Sequence, residues 1–411
     1  MDPQSLFYIL IAVLVVNFLI DKIIDAHNAK HFNAPIPKPL EDVYDQEAYQ
    51  KSQNYKKVNY RYSLIASVCS FIVILLFFLF EGFARVDAFA RSLVADEIAV
   101  GLLFFAILFV MSDLLSMPFS YYHTFVIEEK FGFNRSSKQT FFLDRIKGWL
   151  LTGLLGGIVL GAMMWFYLEV GVDFWWYAWI VITLFSVLMN LFYSRWIVPL
   201  FNKQTPLPEG SLRTKIENYA EKIGFQLQNI FVIDGSKRTT KANAYFSGFG
   251  KEKRITLYDT LIDDLEDDEI VAVLAHEVGH YKKNHIPVNL IVSIALTGIT
   301  LYLLSLFVSL PVFSYALDVE KPSFHVGMLV FFMLYAPISV LTGLLINMLS
   351  RKFEYQADDF AKKTFAAAPL INALKKLSKN NLSNLTPHPI YVFVHYSHPT
   401  LLNRIEHLKR E

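Results

Sequence analysis

Cysteine is almost absent: Cys69 is the only one in 411 residues, so no disulfide framework can hold this chain together. Lying in an apolar run, that thiol reads as buried and inert. Charge is scarce and balanced, with 18% charged residues, 38 Lys and Arg against 37 Asp and Glu, and a net charge of +1. A soluble domain of this size carries about a quarter charged residues. Without a basic excess there is no electrostatic case for nucleic acid as a partner. Internal repeats and low-complexity tracts are missing too. What the chain has in quantity is apolar surface: 54% hydrophobic residues, 15% aromatic ones, and a mean hydropathy of +0.36. Such a chain is not disordered. The composition points to an α-helical polytopic membrane protein with one soluble portion.

Continuous apolar runs cover residues 64–80, 98–115, 149–170, 174–200, 286–313 and 326–349. Each approaches or exceeds the roughly 20 residues that span the hydrocarbon core as a helix. Barrel strands of about ten alternating residues are excluded. A shorter run, 6–20, reaches spanning length if extended to Ile24. It lacks a basic n-region and a small-residue cleavage site, so it reads as a retained span and not a signal peptide. The expected count is seven transmembrane helices. Lys and Arg number seven in 21–63, five in 116–148 and ten in 351–411, against two in 81–97, none in 169–173 and one in 311–325. The positive-inside rule therefore puts the N-terminus outside and the rich segments in the cytoplasm.

The expected organisation is five helices in 1–200, a cytoplasmic insertion in 201–285, two helices in 286–350 and a cytoplasmic tail in 351–411. The insertion opens with a turn-rich piece, 204–210. A helix at 212–223 comes next, then strand-like runs at 229–233, 242–249 and 254–258. Acidic residues 263–269 lead into a helix expected over 270–283, as suits a helix N-terminus. Loop 26–60, polar and proline-containing, reads as surface.

His276-Glu277-Val278-Gly279-His280 is an HExxH motif on that helix. Residues four apart differ by about 40° around a helix, so both imidazoles face one way. That places two neutral nitrogens on one Zn²⁺, with Glu277 adjacent as general base for a metal-held water. His285 is about 180° from His276 on a continuous helix, and reads as an interfacial, snorkelling residue. A catalytic zinc needs a third protein ligand. Glu354 and Asp358 share one helical face at the end of the last span. Glu354 is the best candidate; one of the pair can ligate while the other accepts a hydrogen bond from a ligand imidazole, although a pair balancing Arg351 and Lys352 would look the same. Asp359 is out of phase and reads as solvent-facing. Asp113 is the one clear charge within a span, the feature a transporter or channel would display.

Beyond the zinc motif, several stretches carry a resemblance: Thr124-Phe125-Val126-Ile127-Glu128-Glu129-Lys130 with Gly132-Phe133-Asn134, Pro199-Leu200-Phe201-Asn202, and Asp234-Gly235-Ser236-Lys237-Arg238. Asn243-Ala244-Tyr245-Phe246 and Ser397-His398-Pro399-Thr400-Leu401-Leu402 complete it. Over nearly its whole length the chain resembles CaaX prenyl proteases of the Ste24 type. The resemblance implies seven helices enclosing an intramembrane chamber, capped by a cytoplasmic α+β, gluzincin-like zinc-protease domain. It implies one Zn²⁺ per chain on His276, His280 and Glu354, with Glu277 as base and Asp358 behind a ligand imidazole. It makes Asn243, Ala244 and Tyr245 a substrate-binding edge strand, and sets His398 and Arg404 beside the zinc as oxyanion-stabilising groups. Substrates would be peptides or proteins, prenylated or otherwise membrane-associated, from which the last three residues are removed. The alternative is a housekeeping protease for membrane proteins that needs no lipid. A bacterial inner membrane is the expected location, or the endoplasmic reticulum for a eukaryotic host.

Overall fold

In the computed structural model, residues 1–225, 230–247 and 254–410 are described. The apolar runs form long helices: Pro3–Ala29, Gln46–Leu79, Glu97–Tyr122, Lys138–Val170, Phe174–Trp196, His285–Phe307 and Phe324–Thr364. Short polar residues set several of their starts. Asp2, Asp45, Asp96 and Ser137 each accept a backbone N–H of the first turn, satisfying donors that a helix leaves unpaired. Among the described residues, six continuous helical stretches are long and apolar enough to cross a membrane. One of them, Lys138–Phe201, is broken at Gly171–Asp173 by a short 3-10 turn into two helices that pack on each other. Large apolar side chains such as Leu150, Ile158 and Leu345 are more than 60% exposed, as a lipid-facing surface requires.

Two cores hold the molecule. The first lies at the end opposite the inserted domain, where Phe104, Phe174, Leu304 and Val330 are fully buried. Beside it the helix Gly82–Leu93 supplies Asp87 and Arg91: Asp87 accepts from His325 at 2.7 Å and from Arg91 at 2.8 Å. Arg91 also binds Glu97 at 2.9 Å. The second core belongs to the insertion and tail together, centred on Ile216, Leu257, Leu274, Ala361 and Ile405. Loop 26–60 is not mere surface: Leu40, Val43 and Tyr44 are buried in this second core, and the Tyr44 hydroxyl donates to the Ser378 carbonyl at 2.8 Å. Cys69 is half-buried, beside a cavity of about 350 Å³ between helices, so the buried reading is only partly right.

Among the described residues the insertion holds one four-stranded sheet: β1 (Gln204–Pro206), β2 (Ile230–Ile233), β3 (Ala244–Ser247) and β4 (Arg254–Tyr258). Their order is β1-β2-β4-β3, with β2 and β4 parallel and the other two pairs antiparallel. The sequence reads β1 as turn, because Pro206 and Gly210 dominate it. Its extended chain instead pairs with β2 at the sheet edge, where proline is tolerated. Residues 229, 248 and 249 of the expected strands lie outside the described residues. The two longer helices of the insertion run Ser211–Lys222 and Asp267–Lys282, with a short helix, Asp259–Asp264, after β4. The second of the longer pair begins three residues before the expected start because Glu266 and Glu269 form a reciprocal capping box.

Candidate active site

The helix Asp267–Lys282 is buried along most of its length, so His276 and His280 project from a fixed backbone. The C-terminal part of the long helix Phe324–Thr364 crosses it at very close range. A Cβ built on Gly279 would lie 3.0 Å from the Ala357 Cα and 3.1 Å from its carbonyl oxygen. Only glycine lets the backbones approach this closely, and the approach sets Glu354 against both imidazoles.

The three side chains converge, each histidine meeting a different oxygen of Glu354. His276 Nε2 lies 3.2 Å from His280 Nε2 and 3.4 Å from Glu354 Oε2, and His280 Nε2 lies 3.3 Å from Glu354 Oε1. Among the described residues these three are the one group of His, Cys, Asp and Glu whose donor atoms converge in this way. Zinc–nitrogen bonds of about 2.0–2.1 Å at tetrahedral angles place donors about 3.3–3.4 Å apart, so the residues fit that ion. Glu354 Oε2 is buried with no hydrogen-bond partner, an oxygen left for a cation.

Asp358 takes the other role that sequence left open for the carboxylate pair. Its Oδ1 lies 2.9 Å from His276 Nδ1, and its two oxygens receive the Arg404 guanidinium at 2.6 and 2.9 Å. The imidazole therefore donates Nδ1–H to Asp358 and turns Nε2 toward the converging donors. Burial and the Arg404 charge oppose protonation of His276. The hydrogen bond to Asp358 and the nearby Glu354 carboxylate outweigh both, and raise the metal-free imidazole to about 9. Arg404 reaches Glu354 at 3.7 Å but spends its fork on Asp358. His398 approaches from the open side, its Nε2 3.3 Å from Glu354 Oε1 and its ring 62% exposed.

Glu277 lines the adjoining cleft of about 360 Å³, together with Asn243, Ala244 and Asn289. Among the described residues β3 sits at the sheet edge and pairs on one side only, with β4. Asn289 also belongs to a second, larger cavity of about 690 Å³ between the helices, lined by Leu296, Thr300, Met328 and Tyr335.

His285 does not snorkel. It is 2% exposed, stacks on Phe353 at 4.1 Å, and meets His280 Nδ1 at 3.0 Å and Gln356 Oε1 at 2.8 Å. The angular reckoning assumes one continuous helix. Asn284 breaks it, with φ of 58°, and the next helix starts in a new direction at His285. Asp359 also finds a partner, His407 at 2.9 Å. Arg351 donates to carbonyls ending the helix Pro389–His395, so Glu354 is not there to balance it.

Two family models cover the chain: the CAAX prenyl protease N-terminal region with five membrane helices over residues 25–203, and peptidase family M48 over residues 206–411. The chain is a Ste24-type member of the M48 peptidases. CAAX prenyl protease 1 of Saccharomyces cerevisiae is 36% identical over 399 residues, covering 90% of this chain and 87% of the relative. The Arabidopsis thaliana homolog is 35% identical over 417 residues, covering 98% and 97%. The crystal structure of Ste24p from S. mikatae matches with a TM-score of 0.94 at 33% identity, covering 98% of this chain and 99% of that one. This M48 peptidase is a multi-pass membrane metalloprotease, with its candidate metal ligands on His276, His280 and Glu354.

Proposed function

We propose that this M48 peptidase is a zinc endopeptidase that removes the last three residues of prenylated CaaX peptides, and that its active site faces the cytoplasm. The observation that carries the chemistry is the convergence of His276, His280 and Glu354, whose donor atoms approach one another pairwise to 3.2–3.4 Å. When bound, the ion supplies Lewis acidity for the scissile carbonyl and for the attacking water. Glu277 takes the water's proton and delivers it to the departing amine. Asp358 holds His276 in the tautomer that offers Nε2, and Arg404 holds Asp358. That bidentate engagement makes Arg404 a positioning residue more than a direct oxyanion donor. His398, exposed on the open side of these donors, is the group placed to offset charge on the tetrahedral oxygen. Asn243, Ala244 and Tyr245 are the substrate-binding edge in this reading: the Asn243 carbonyl is held by the Tyr258 N–H, which turns Ala244, whose N–H donates to Asn243 Oδ1, to the free side of β3 where an extended substrate can pair.

The cavity that shares Asn289 with the cleft accommodates the isoprenoid. Its wall mixes Leu296, Met328 and Phe332 with Ser293, Thr297 and Asn347. Such polar rungs favour a second element of the reading, tolerance of unlipidated membrane-protein substrates. Each isoprenoid CH₂ contributes up to roughly 0.8 kcal/mol only where the wall is dry. Transport needs no place in this account, because Asp113 is paired with Arg145 and Trp149, both at 2.8 Å. We place seven crossings in the membrane, with 138–170 and 174–196 crossing separately, and the N-terminus outside. The relatives named above are eukaryotic, which favours the endoplasmic reticulum over the bacterial membrane expected from sequence.

The test compares kcat/KM for one CaaX peptide with and without farnesyl, using purified protein in one detergent. Farnesylation should raise kcat/KM while unprenylated peptide is still cut. Equal rates would remove lipid recognition from the reading, and total inactivity on unprenylated peptides would remove the tolerance. Glu277→Gln should keep its zinc by elemental analysis and lose about 10²–10⁴ in kcat.

A further inference from the structure

The lead into β3 is irregular chain. Its carbonyls at Asn243 and Lys241 accept from Tyr258 N–H and the Thr260 hydroxyl, and its side chains are held from outside the sheet. Arg238 reaches Asp144 at 2.7 Å and the Phe201 carbonyl at 2.9 Å. Asn134 and Thr239 form an isolated antiparallel bridge, and Thr240 N–H donates to the Phe133 carbonyl at 3.1 Å. Lys241, two residues before Asn243, makes the contact nearest to the cleft-lining residues. Its ammonium donates to Glu128 Oε2 at 2.7 Å and to the Tyr55 hydroxyl at 3.1 Å, and stands 4.4 Å from the centre of the Phe133 ring. The Tyr55 hydroxyl donates to the other oxygen, Glu128 Oε1, at 2.5 Å. Both oxygens of a carboxylate that is 13% exposed are thereby committed. Glu128 ends a π-helical turn, His123–Glu128, that continues the helix Glu97–Tyr122. A π turn adds a residue to the helical repeat and re-aims the chain beyond it, and such turns gather at functional sites.

We propose that Glu128 and Lys241, with Tyr55, are positioning residues of the peptidase reaction. Through them the membrane helices hold the substrate-binding edge in register over the candidate metal ligands. Arginine or lysine held between a carboxylate and an aromatic face is directional as well as attractive. Lys241 does not itself line the cleft, so it acts through Ala242, Asn243 and Ala244, which do. Main-chain pairing to β3 holds ground state and transition state alike. Loosening β3 therefore raises KM with kcat little changed. This inference rests on the reading of β3 as the substrate strand.

The experiment measures kcat, KM and zinc content for Glu128→Gln, Lys241→Met, Lys241→Arg and the Glu128→Gln/Lys241→Met double variant. Two substrates are used, a farnesylated CaaX peptide and an unprenylated peptide of unrelated sequence. Each neutralising variant should raise KM about tenfold on both, with kcat within about twofold and zinc unchanged. The double variant should be no worse than either single one, because one interaction is being removed. Lys241→Arg should stay within about threefold of the parent, since charge and ring contact survive. Hydrogen exchange of amides 242–245 should quicken in the neutralised variants, a reading that needs no turnover. Unchanged KM with unchanged exchange, or a fall in kcat with loss of zinc, overturns the proposal. If the wild type shows no preference for the CaaX peptide, the substrate reading fails while the KM shift on the unrelated peptide still decides the clamp. Should Lys241→Met not fold, Tyr55→Phe removes one hydroxyl and should raise KM about threefold by the same route.

Discussion

His280 and His285 meet through their Nδ1 atoms at 3.0 Å, and only one of the two can carry the proton between them. If His280 turns Nε2 to the metal, its Nδ1–H donates to His285, whose Nε2–H donates to Gln356 Oε1 at 2.8 Å. The chain of hydrogen bonds thus assigns both tautomers. His285→Ala should weaken zinc binding about 10–100-fold, measured by chelator competition. Unaltered affinity would reduce His285 to a packing partner of Phe353. His276 gives a pH dependence of definite sign. A group raised to about 9 in the folded, metal-free protein stabilises it fully below the unfolded value near 6.5, and that stabilisation is lost as pH rises through 9. The Tm of chelator-stripped protein should therefore fall from pH 6.5 to 9. Over the same range zinc displaces a proton from His276, so its apparent affinity should tighten with pH, by up to about tenfold per unit. A flat affinity between pH 7 and 8 would contradict this assignment.

Among the elements, the crossing of the helices Asp267–Lys282 and Phe324–Thr364 decides the metal site. Its closeness depends on Gly279, whose missing Cβ would strike backbone atoms of Ala357 and the Phe360 Cβ at 3.0–3.1 Å. Backbone cannot swing aside as a side chain can. Gly279→Ala should push the two helices apart by a few tenths of an ångström and cost about 1–3 kcal/mol of stability, read as a lowered Tm. Zinc affinity should fall with it, because His276 and His280 ride on one helix and Glu354 on the other. Retained Tm and affinity would show that the crossing has slack. The sheet works differently: among the described residues β3 pairs only with β4, and in the proposed reading its other side is the one that meets substrate.

Across the whole molecule, the peptidase end gathers segments very distant in sequence. Tyr44 bonds to Ser378, Thr386 donates to the His31 carbonyl, and Lys56 donates to Asn384 at 3.3 Å. The opposite end is closed by the cluster of Asp87, Arg91, Glu97, Lys321 and His325. With Cys69 replaced, a cysteine at exposed Ser137 or Ser211 should label only from the cytoplasm, and one at exposed Glu320 only from the other side. The reverse pattern would place the active site in the wrong compartment for prenylated cytoplasmic substrates. Ser323 is a poorer probe, since Arg91 donates to its hydroxyl.

Everything with a short period is legible in the amino-acid order. Apolar runs announce helices because lipid leaves the backbone no other partners. HExxH announces a metal because residues four apart share a helical face whatever surrounds them. The site beyond the motif depends on the tertiary structure. Glu354 and Asp358 share one face by periodicity, and no local rule says which meets a metal and which an imidazole Nδ1. That choice is made by a helix crossing set by Gly279 and by Arg404, 128 residues from His276. Periodicity misplaces His285 because helical angles hold only along an unbroken helix, and Asn284 breaks this one. β1 escapes the sequence pattern because an edge strand of three residues is defined by its partner and not by its own order. Periodicity is a property of neighbours in the chain, whereas a catalytic site is a property of neighbours in space, chosen by how two cores pack.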